Sequence, residues 1–561
     1  MKKLIFVLLI WIFSISDFNA QIFVNQAGYL PEKNKITYFN YPTDSFYVVS
    51  KLTGSILFKG EVVPKRIGDP ATGKDLFAGD FSSLKTNGKF FIKDSKGDKS
   101  HNFKISPFVF EETLRKSLKG FYFQRCGVEL HEEHAGEFKH AECHLEDGAF
   151  HPQAETRGKA DVTGGWHDAG DYGKYVVNAG ITVGTLLMAY EMFPEKFSTD
   201  DLYIPESGNQ IPDILDEIRF ELDWLFKMQR VDGAVYFKVT HENFEPFIMP
   251  EHDKGARLIL PISSTATADY ASVMARAYRI FSKFDKPFAI KCLSSAEKAW
   301  KYLSENSEIF PKGGFKNPQG TRTGEYGDGN DSDERLWAAA ELYLATGNDV
   351  YHNYFLEHYN KPNSNFSTMS WPNVKPLAYL TYIFGDDALV NKNIQSELKN
   401  SLIEYSNVLV DRARNDGFNV SILPEEYVWG STAVVLNSSV LLICAHELTK
   451  NIDYYNTALH QLNYILGTNV HNISFLTGVG SSPVMNIHHR PSGADKIAEP
   501  VPGLLSGGPE INLSDQILKD AFTKETPHAL KFVDHQESYA SNEIAINWNA
   551  PLVFVAGYFN K

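Results

Sequence analysis

Residues 161–178 read DVTGGWHDAGDYGKYVVN and set two carboxylates, Asp168 and Asp171, three positions apart in a glycine-rich turn. Trp166 and His167 precede the pair, and Tyr172 and Tyr175 follow it. Gly164, Gly165 and Gly170 allow backbone conformations that other residues resist. Paired carboxylates beside aromatic rings suit a site that grips a sugar and activates water. The competing reading is a helix N-terminus, with the aspartates at cap and first-turn positions ahead of VVNAGITVGTLLMAYEMF. Near the other end, KFVDHQESYASNEIAINWNAPLVFVAGYF (531–559) carries Phe532, Asp534, Tyr539, Glu543, Ala545, Asn549 and Ala550 as a spaced set. Glu543 opens an apolar segment, where partial desolvation raises a carboxyl pKa and suits it to proton donation. A helix-start glutamate supporting the dipole is the plainer account.

Taken together, the two segments resemble the glycoside hydrolases of family 9, the cellulase family with an (α/α)6 barrel. One branch of that family carries an N-terminal immunoglobulin-like domain opening with a segment like IFVNQAGYLP, found here at 22–31. The resemblance implies an inverting hydrolase of β-1,4-glucan, most simply an endo-acting cellulase. It implies Glu543 as general acid, Asp171 as general base, Asp168 as a holder of the attacking water, and Asp534 as an orienting acidic residue. In the family, a His-x-Arg in the loop SFLTGVGSSPVMNIHHRPSG (474–493) binds sugar beside the cleavage point; here that is His488 and Arg490. Neutral histidine and arginine both donate hydrogen bonds to sugar hydroxyls. A surface basic cluster is the alternative. EYVWGST (426–432) resembles a family segment usually ending in Asn, and Ser482 and Glu510 also depart from the family's usual residues. Trp429, Trp166 and Tyr539 are candidates for contact with sugar faces, with core packing as the alternative. Exo-acting enzymes and xyloglucan or mixed-linkage glucanases share the scaffold. A non-catalytic glycan-binding protein is the reading from another class.

Cys126 and Cys143 lie in RCGVELHEEHAGEFKHAECHLEDG, with His144 next to the second and His167 next to Asp168. Two nearby cysteines in a secreted protein suggest a disulfide. Two thiolates and two imidazoles also make a closed tetrahedral zinc set, and family members with this N-terminal module often have a zinc site of this spacing. Such an ion would pin the loop carrying Asp168 and Asp171. His131, His134 and His140 are alternative ligands. Two loops suit calcium, which takes several oxygens. One offers Asp328, Asp331, Asp333 and Glu334, where the resemblance implies an Asp-Glu pair, although Pro372 replaces the family's distant aspartate. The other offers Glu206, Asn209, Asp213 and Asp216. Helix capping is the alternative for both. No organic cofactor is expected.

The elements that must position these groups fall into two parts. Residues 21–106 read as short β-rich segments separated by turns such as Tyr41-Pro42-Thr43-Asp44, the pattern of an immunoglobulin-like sandwich. From 107 to 561 the apolar spacing is helical, with about ten to twelve helices and little strand, and long loops rich in aromatics, histidines and carboxylates. Residues 1–20 read as a secretory signal, with Lys2 and Lys3 before an apolar run and a cut before Gln21. A secreted or periplasmic monomer is expected, with no membrane contact after cleavage. No other stretch reads as long and apolar enough to span a bilayer. The formal charge of −15 argues against nucleic acid as partner and imposes no penalty on a neutral glucan. Four cysteines are too few for a disulfide scaffold, and Cys292 and Cys444 fall in apolar helical surroundings.

Overall fold

The computed structural model describes residues 21–561, and the expected signal at 1–20 lies outside them. The first part is a β-sandwich of β1 (Ile22–Phe23), β2 (Gly28–Tyr29), β3 (Ile36–Phe39), β4 (Ser45–Ser50), β5 (Ile56–Arg66), β6 (Leu76–Asp80), β7 (Gly88–Asp94) and β8 (Phe103–Ile105). Its strand order is β1-β3-β6-β5-β4-β7-β8-β2. The long β5 pairs with β4 through its first half and with β6 through its second. It thereby passes from one layer to the other. Alternation sets the faces: Phe46 and Val48 of β4, and Phe90 and Ile92 of β7, turn into a core shared with Phe39, Phe81 and Phe103.

Twelve helices of nine residues or more follow among the described residues: α1 (Glu111–Phe123), α2 (Val176–Met192), α3 (Asp213–Met228), α4 (Ser264–Phe281), α5 (Lys286–Glu305), α6 (Ser332–Thr346), α7 (Asp349–His358), α8 (Lys375–Ile383), α9 (Lys392–Asn415), α10 (Ser431–Thr449), α11 (Ile452–Ile465) and α12 (Ile546–Phe559). They form an (α/α)6 barrel of inner and outer helices in alternation. The inner helix α2 packs on α4, α4 on α6, α6 on α8 and α10 on α12; outer α9 joins α8 to α10, and α12 returns to α2. Composition explains the division. Outer α3 and α5 bury one stripe, whereas inner α2 and α12 are apolar and buried on nearly all sides. Gly184 of α2 permits a close crossing, because a Cβ there would stand 2.5 Å from the Trp337 ring of α6. Cys292 and Cys444 are buried in α5 and α10.

One expectation needs correction. Helix α10 is long and apolar enough by length and composition to cross a membrane. Its apolar surface is instead packed within the protein, with 72% of the span buried. The polar residues Asn437, Ser438 and Ser439 that divide the run carry contacts to Met369, Thr368 and Ala458.

A small four-stranded sheet sits where loops leave the helices: β9 (Ala149–Phe150), β10 (Lys174–Tyr175), β11 (Lys238–Thr240) and β12 (Leu258–Ile259), in the order β10-β11-β12-β9. It anchors the 161–175 loop directly before α2. The sandwich is fastened to the barrel by Asn25, whose amide donates to Asn463 at 2.7 Å, and by edge-on packing of Phe23 on Phe418.

Candidate active site and metal-binding clusters

Backbone hydrogen bonds draw three distant stretches side by side. Ala169 bridges to Ala545, and His488 bridges to Glu543. The Ile546 N–H donates to the Asp168 carbonyl at 2.8 Å, and the Arg490 N–H donates to the Gly170 carbonyl at 2.9 Å. Gly170 is needed here, since a Cβ would stand 2.0 Å from the His488 carbonyl oxygen. Asp168 and Asp171 are not helix caps: α2 starts only at Val176, with Tyr175 in the cap position.

The carboxylates differ in surroundings. Asp168 is buried, and its oxygens accept from the Asn178 amide at 2.9 and 3.0 Å and from the Tyr326 hydroxyl at 2.9 Å. Burial drives its carboxyl up to about 7, aided by Asp171 and opposed by Asn178 and Tyr326. Asp171 accepts the Gly173 N–H at 2.6 Å. Burial, then Glu245, lift it to about 6 against the pull of Arg490. Glu543 is pushed well above the ordinary range by desolvation and by Asp171. Asp171 and Glu543 both line a cleft of about 450 Å³, walled by Tyr326, Trp371, Trp429 and Trp548. A larger groove of about 860 Å³ lies outside α1 and is lined by Lys116, Lys119, Glu112 and Glu133. It holds none of the three carboxylates that the backbone lacing brings together.

Asp534 accepts from the backbone N–H groups of Met485 and Asn486 at 2.9 and 2.8 Å and from the Asn542 amide at 2.9 Å. It therefore fixes the 485–490 loop against the segment that bears Glu543. His488 donates from Nδ1 to the Gln536 carbonyl at 2.7 Å, which leaves Nε2 to accept from Arg490 at 2.9 Å. Burial and Arg490 hold this imidazole neutral, down at about 4. Arg490 also meets Glu245 at 3.2 Å. Trp429 and Tyr539 are 43% and 38% exposed, with ring centroids 5.4 Å apart. Trp166 does not join them. It is 1% exposed, packed on Phe121, and its indole N–H donates to Glu217 at 3.3 Å. The expectation that it touches sugar is corrected: it is a core residue beneath the loop.

Cys126, Cys143, His144 and His167 are all buried, with donor atoms within 4.8 Å of one another. His144 Nδ1 stands 3.6 Å from Cys126 Sγ and 3.3 Å from His167 Nε2. Ligand separations around a tetrahedral ion bound by thiolate and imidazole are about 3.3–3.8 Å, so the donor set fits such a metal. His144 Nε2 is in turn held by Asp253 at 3.0 Å. Both cysteines carry free thiols. His131 pairs with Glu129, and His140 bonds the Ala141 carbonyl, so neither joins this group.

The two acidic loops are rearranged relative to expectation. Asp331 is bound to Arg335 at 2.8 Å and is not free as a ligand. Asp333 accepts the Val374 N–H at 2.8 Å. Both Glu334 oxygens and one Asp328 oxygen are buried without a partner, as are both oxygens of Asp269 on α4. Asp333 and Asp328 both raise the Asp269 carboxyl, which places it in the same neighbourhood. This group is looser than the three tight clusters found among the described residues. In the other loop Glu206 is taken by Arg125, and the Asn209 amide donates to Asp216. The tight group there is Asp200, Asp213 and Asp216. Asn178, Tyr326, Trp371, Asp269 and Asp200 were missed in the sequence. Of these, Tyr326 and Trp371 had a signal, being aromatics in loops read only for calcium.

Two family models match: "Glycosyl hydrolase family 9" over residues 110–556 and "Cellulase N-terminal ig-like domain" over residues 17–99. Endoglucanase D of Acetivibrio thermocellus is 37% identical over 97% of this chain and 84% of its own. A cellodextrinase of Butyrivibrio fibrisolvens is 35% identical over 95% of this chain and 98% of its own. The crystal structure of a metagenome-derived glycoside hydrolase family 9 endoglucanase superposes with a TM-score of 0.90 at 36% identity, covering 96% of this chain and 99% of that one.

Proposed function

The chain belongs to glycosyl hydrolase family 9 and is an endo-β-1,4-glucanase, and from that premise we propose that it inverts the anomeric centre using Glu543 and Asp171. Glu543 protonates the leaving glycosidic oxygen. Asp171, ionised, takes a proton from water, which attacks the opposite face of the sugar. Asp168 shares that water, its own oxygens being fixed by Asn178 and Tyr326. Inversion needs acid and base roughly 6.5–9.5 Å apart to admit the water. The observation that carries the reading is the lacing of residues 168–171 to 543–546, which sets both carboxyls on one cleft. Arg490 and His488 orient the sugar, and Trp429, Tyr539 and Trp371 give it apolar faces to stack on. Asp534 positions rather than reacts.

A zinc ion would be held by Cys126, Cys143, His144 and His167, and when bound it supplies a cross-link rather than chemistry, because its four positions are filled by protein. That cross-link ties the 126–144 segment to the loop bearing Asp168. Calcium in the first acidic loop would be held by Asp328, Asp333 and Glu334, with Asp269 from α4 in place of the expected Asp331. We place the division between sandwich and catalytic barrel at residues 106–107. Export is directed by residues 1–20, and the working form is a monomer acting on β-glucan.

The test is a time course on carboxymethyl cellulose, mixed-linkage glucan and cellohexaose, with the new end read by NMR. An initial α-anomer and a rapid fall in viscosity are expected. An initial β-anomer overturns the assignment of Asp171 as base. A single short product with little viscosity change would favour action on short oligomers, in line with the cellodextrinase relative.

A further inference from the structure

His241 follows β11 immediately and is 8% exposed. Each of its ring nitrogens faces a carboxylate. Nδ1 lies 3.4 Å from Glu245 Oε2, and Nε2 lies 3.1 Å from Asp253 Oδ2. Nε2 makes no aligned hydrogen bond, so what favours a second proton on the ring is the closeness of two negative charges. Burial pulls this imidazole down, but Asp253 and Glu245 outweigh it and keep it up at about 9, with Arg257 the opposing cation. No motif in the sequence singles His241 out, and none of the proposed chemistry uses it.

Glu245 connects this cation to the cleft. Its Oε1 accepts the Tyr172 N–H at 3.0 Å and meets Arg490 Nε at 3.2 Å. Its backbone carbonyl accepts from the same guanidinium at 3.3 and 3.4 Å. Arg490 then donates to His488 at 2.9 Å. Glu245 is also the strongest charge raising Asp171, while Arg490 and Arg257 lower it. Asp171 further shares its surroundings with Glu543, Asp168 and Lys238. The anion that clamps Arg490 therefore works against the ionisation of Asp171, and a cation on its far side offsets that.

We propose that His241 is a positioning residue for hydrolysis, an imidazolium that holds Glu245 against Arg490 and screens its charge from Asp171. This rests on Asp171 being the base. The offset follows from charge: an unscreened anion nearby raises a carboxyl's pKa, and one pKa unit is a tenfold change in the ionised fraction at a given pH.

The experiment compares the full chain with H241Q, H241K, E245Q and H241Q/E245Q, following kcat and KM on cellohexaose against pH, together with metal content and melting temperature. H241Q is expected to shift the acid limb upward by roughly half to one unit and so to lose roughly three- to tenfold in kcat at pH below that limb. H241K, which restores a cation, should move the limb back. E245Q alone should move it down, and H241Q should add no shift in the E245Q background. Should H241Q fold poorly, E245Q still decides the matter, because an unmoved limb in E245Q overturns the proposal. So does an H241Q whose activity falls evenly at all pH in step with its melting temperature or metal content. D171N is measured alongside. An active D171N overturns the assignment of the base itself, whereas an inactive D171N with an unmoved limb in H241Q overturns only the role of His241.

Discussion

Asp168, Asp171 and Glu543 are crowded into one buried neighbourhood, and desolvation raises all three. That suits Glu543 as the proposed acid, which must keep its proton, and is a cost for Asp171 as the proposed base, which must lose it. The expected pH profile is a bell. Its acid limb falls near the value of about 6 for Asp171, and its alkaline limb reports ionisation of Glu543; an activity that stayed flat below that acid limb would contradict the assignment. Because the carboxyls interact, the limbs belong to the group rather than to single residues. E543Q should lose roughly 10²–10⁴-fold in kcat while still binding cellohexaose, as measured by calorimetry. Its stability should change in the opposite direction. A carboxyl raised in the folded state contributes stability that is fully present below its unfolded pKa and lost as pH rises through the folded one. E543Q should therefore melt higher than the parent at neutral and alkaline pH, with the difference vanishing in acid. Removing the Tyr326 hydroxyl takes one donor from Asp168, so Y326F should cost roughly tenfold in kcat with little change in melting temperature.

At the scale of elements, the site depends on loops that carry little regular structure and are held by side chains. Residues 161–175 are anchored at one end by β10 and α2, and at the other by the cluster of Cys126, Cys143, His144 and His167. C126S, or prolonged chelation, should lower the melting temperature and reduce activity in proportion to the loss of folded protein. Immediate inactivation with intact near-UV circular dichroism would instead mean that the ion acts on substrate. Asp269 and Glu334 bring unpartnered buried oxygens from α4 and α6 together. Burying such groups without partners is costly, so a bound cation would stabilise the two inner helices. Added calcium should raise the melting temperature, as any ligand of the native state does, and D269N should remove that increment. A melting temperature indifferent to calcium would remove calcium from this loop.

At the scale of the molecule, the sandwich serves the barrel as a packing partner. Phe23, Tyr38 and Leu76 lie in the same apolar core as the helices. Gln26 Oε1 accepts from the backbone N–H groups of Ser481 and Ser482 at 3.1 and 2.8 Å, in the loop that continues to His488. Q26A removes those contacts from a loop that water can reach and should cost about 0.5–1.5 kcal/mol, seen as a lower melting temperature in a single calorimetric transition. Two separate transitions would mean that sandwich and barrel unfold independently. The helices of the barrel and the strands of the sandwich were legible in the sequence because each follows from a local period, 3.6 in α3 and 2 in β4. Asp168, Asp171 and Glu543 stood out as candidates by residue type within short motifs, and their proposed roles came from the family resemblance. Other contacts had no local signal. Tyr326 reaches Asp168 across 158 positions, and Asp269 approaches Glu334 from another helix. Trp166 and Trp429 are alike as residues, yet one is core and the other faces the cleft. The sequence by itself determined which elements form and which side chains are fit for acid, base and metal binding, because these depend on near neighbours. Only the tertiary structure decided which of them meet, which are already taken by an arginine or an amide, and which charges share one buried space, because those depend on how the ring of helices closes.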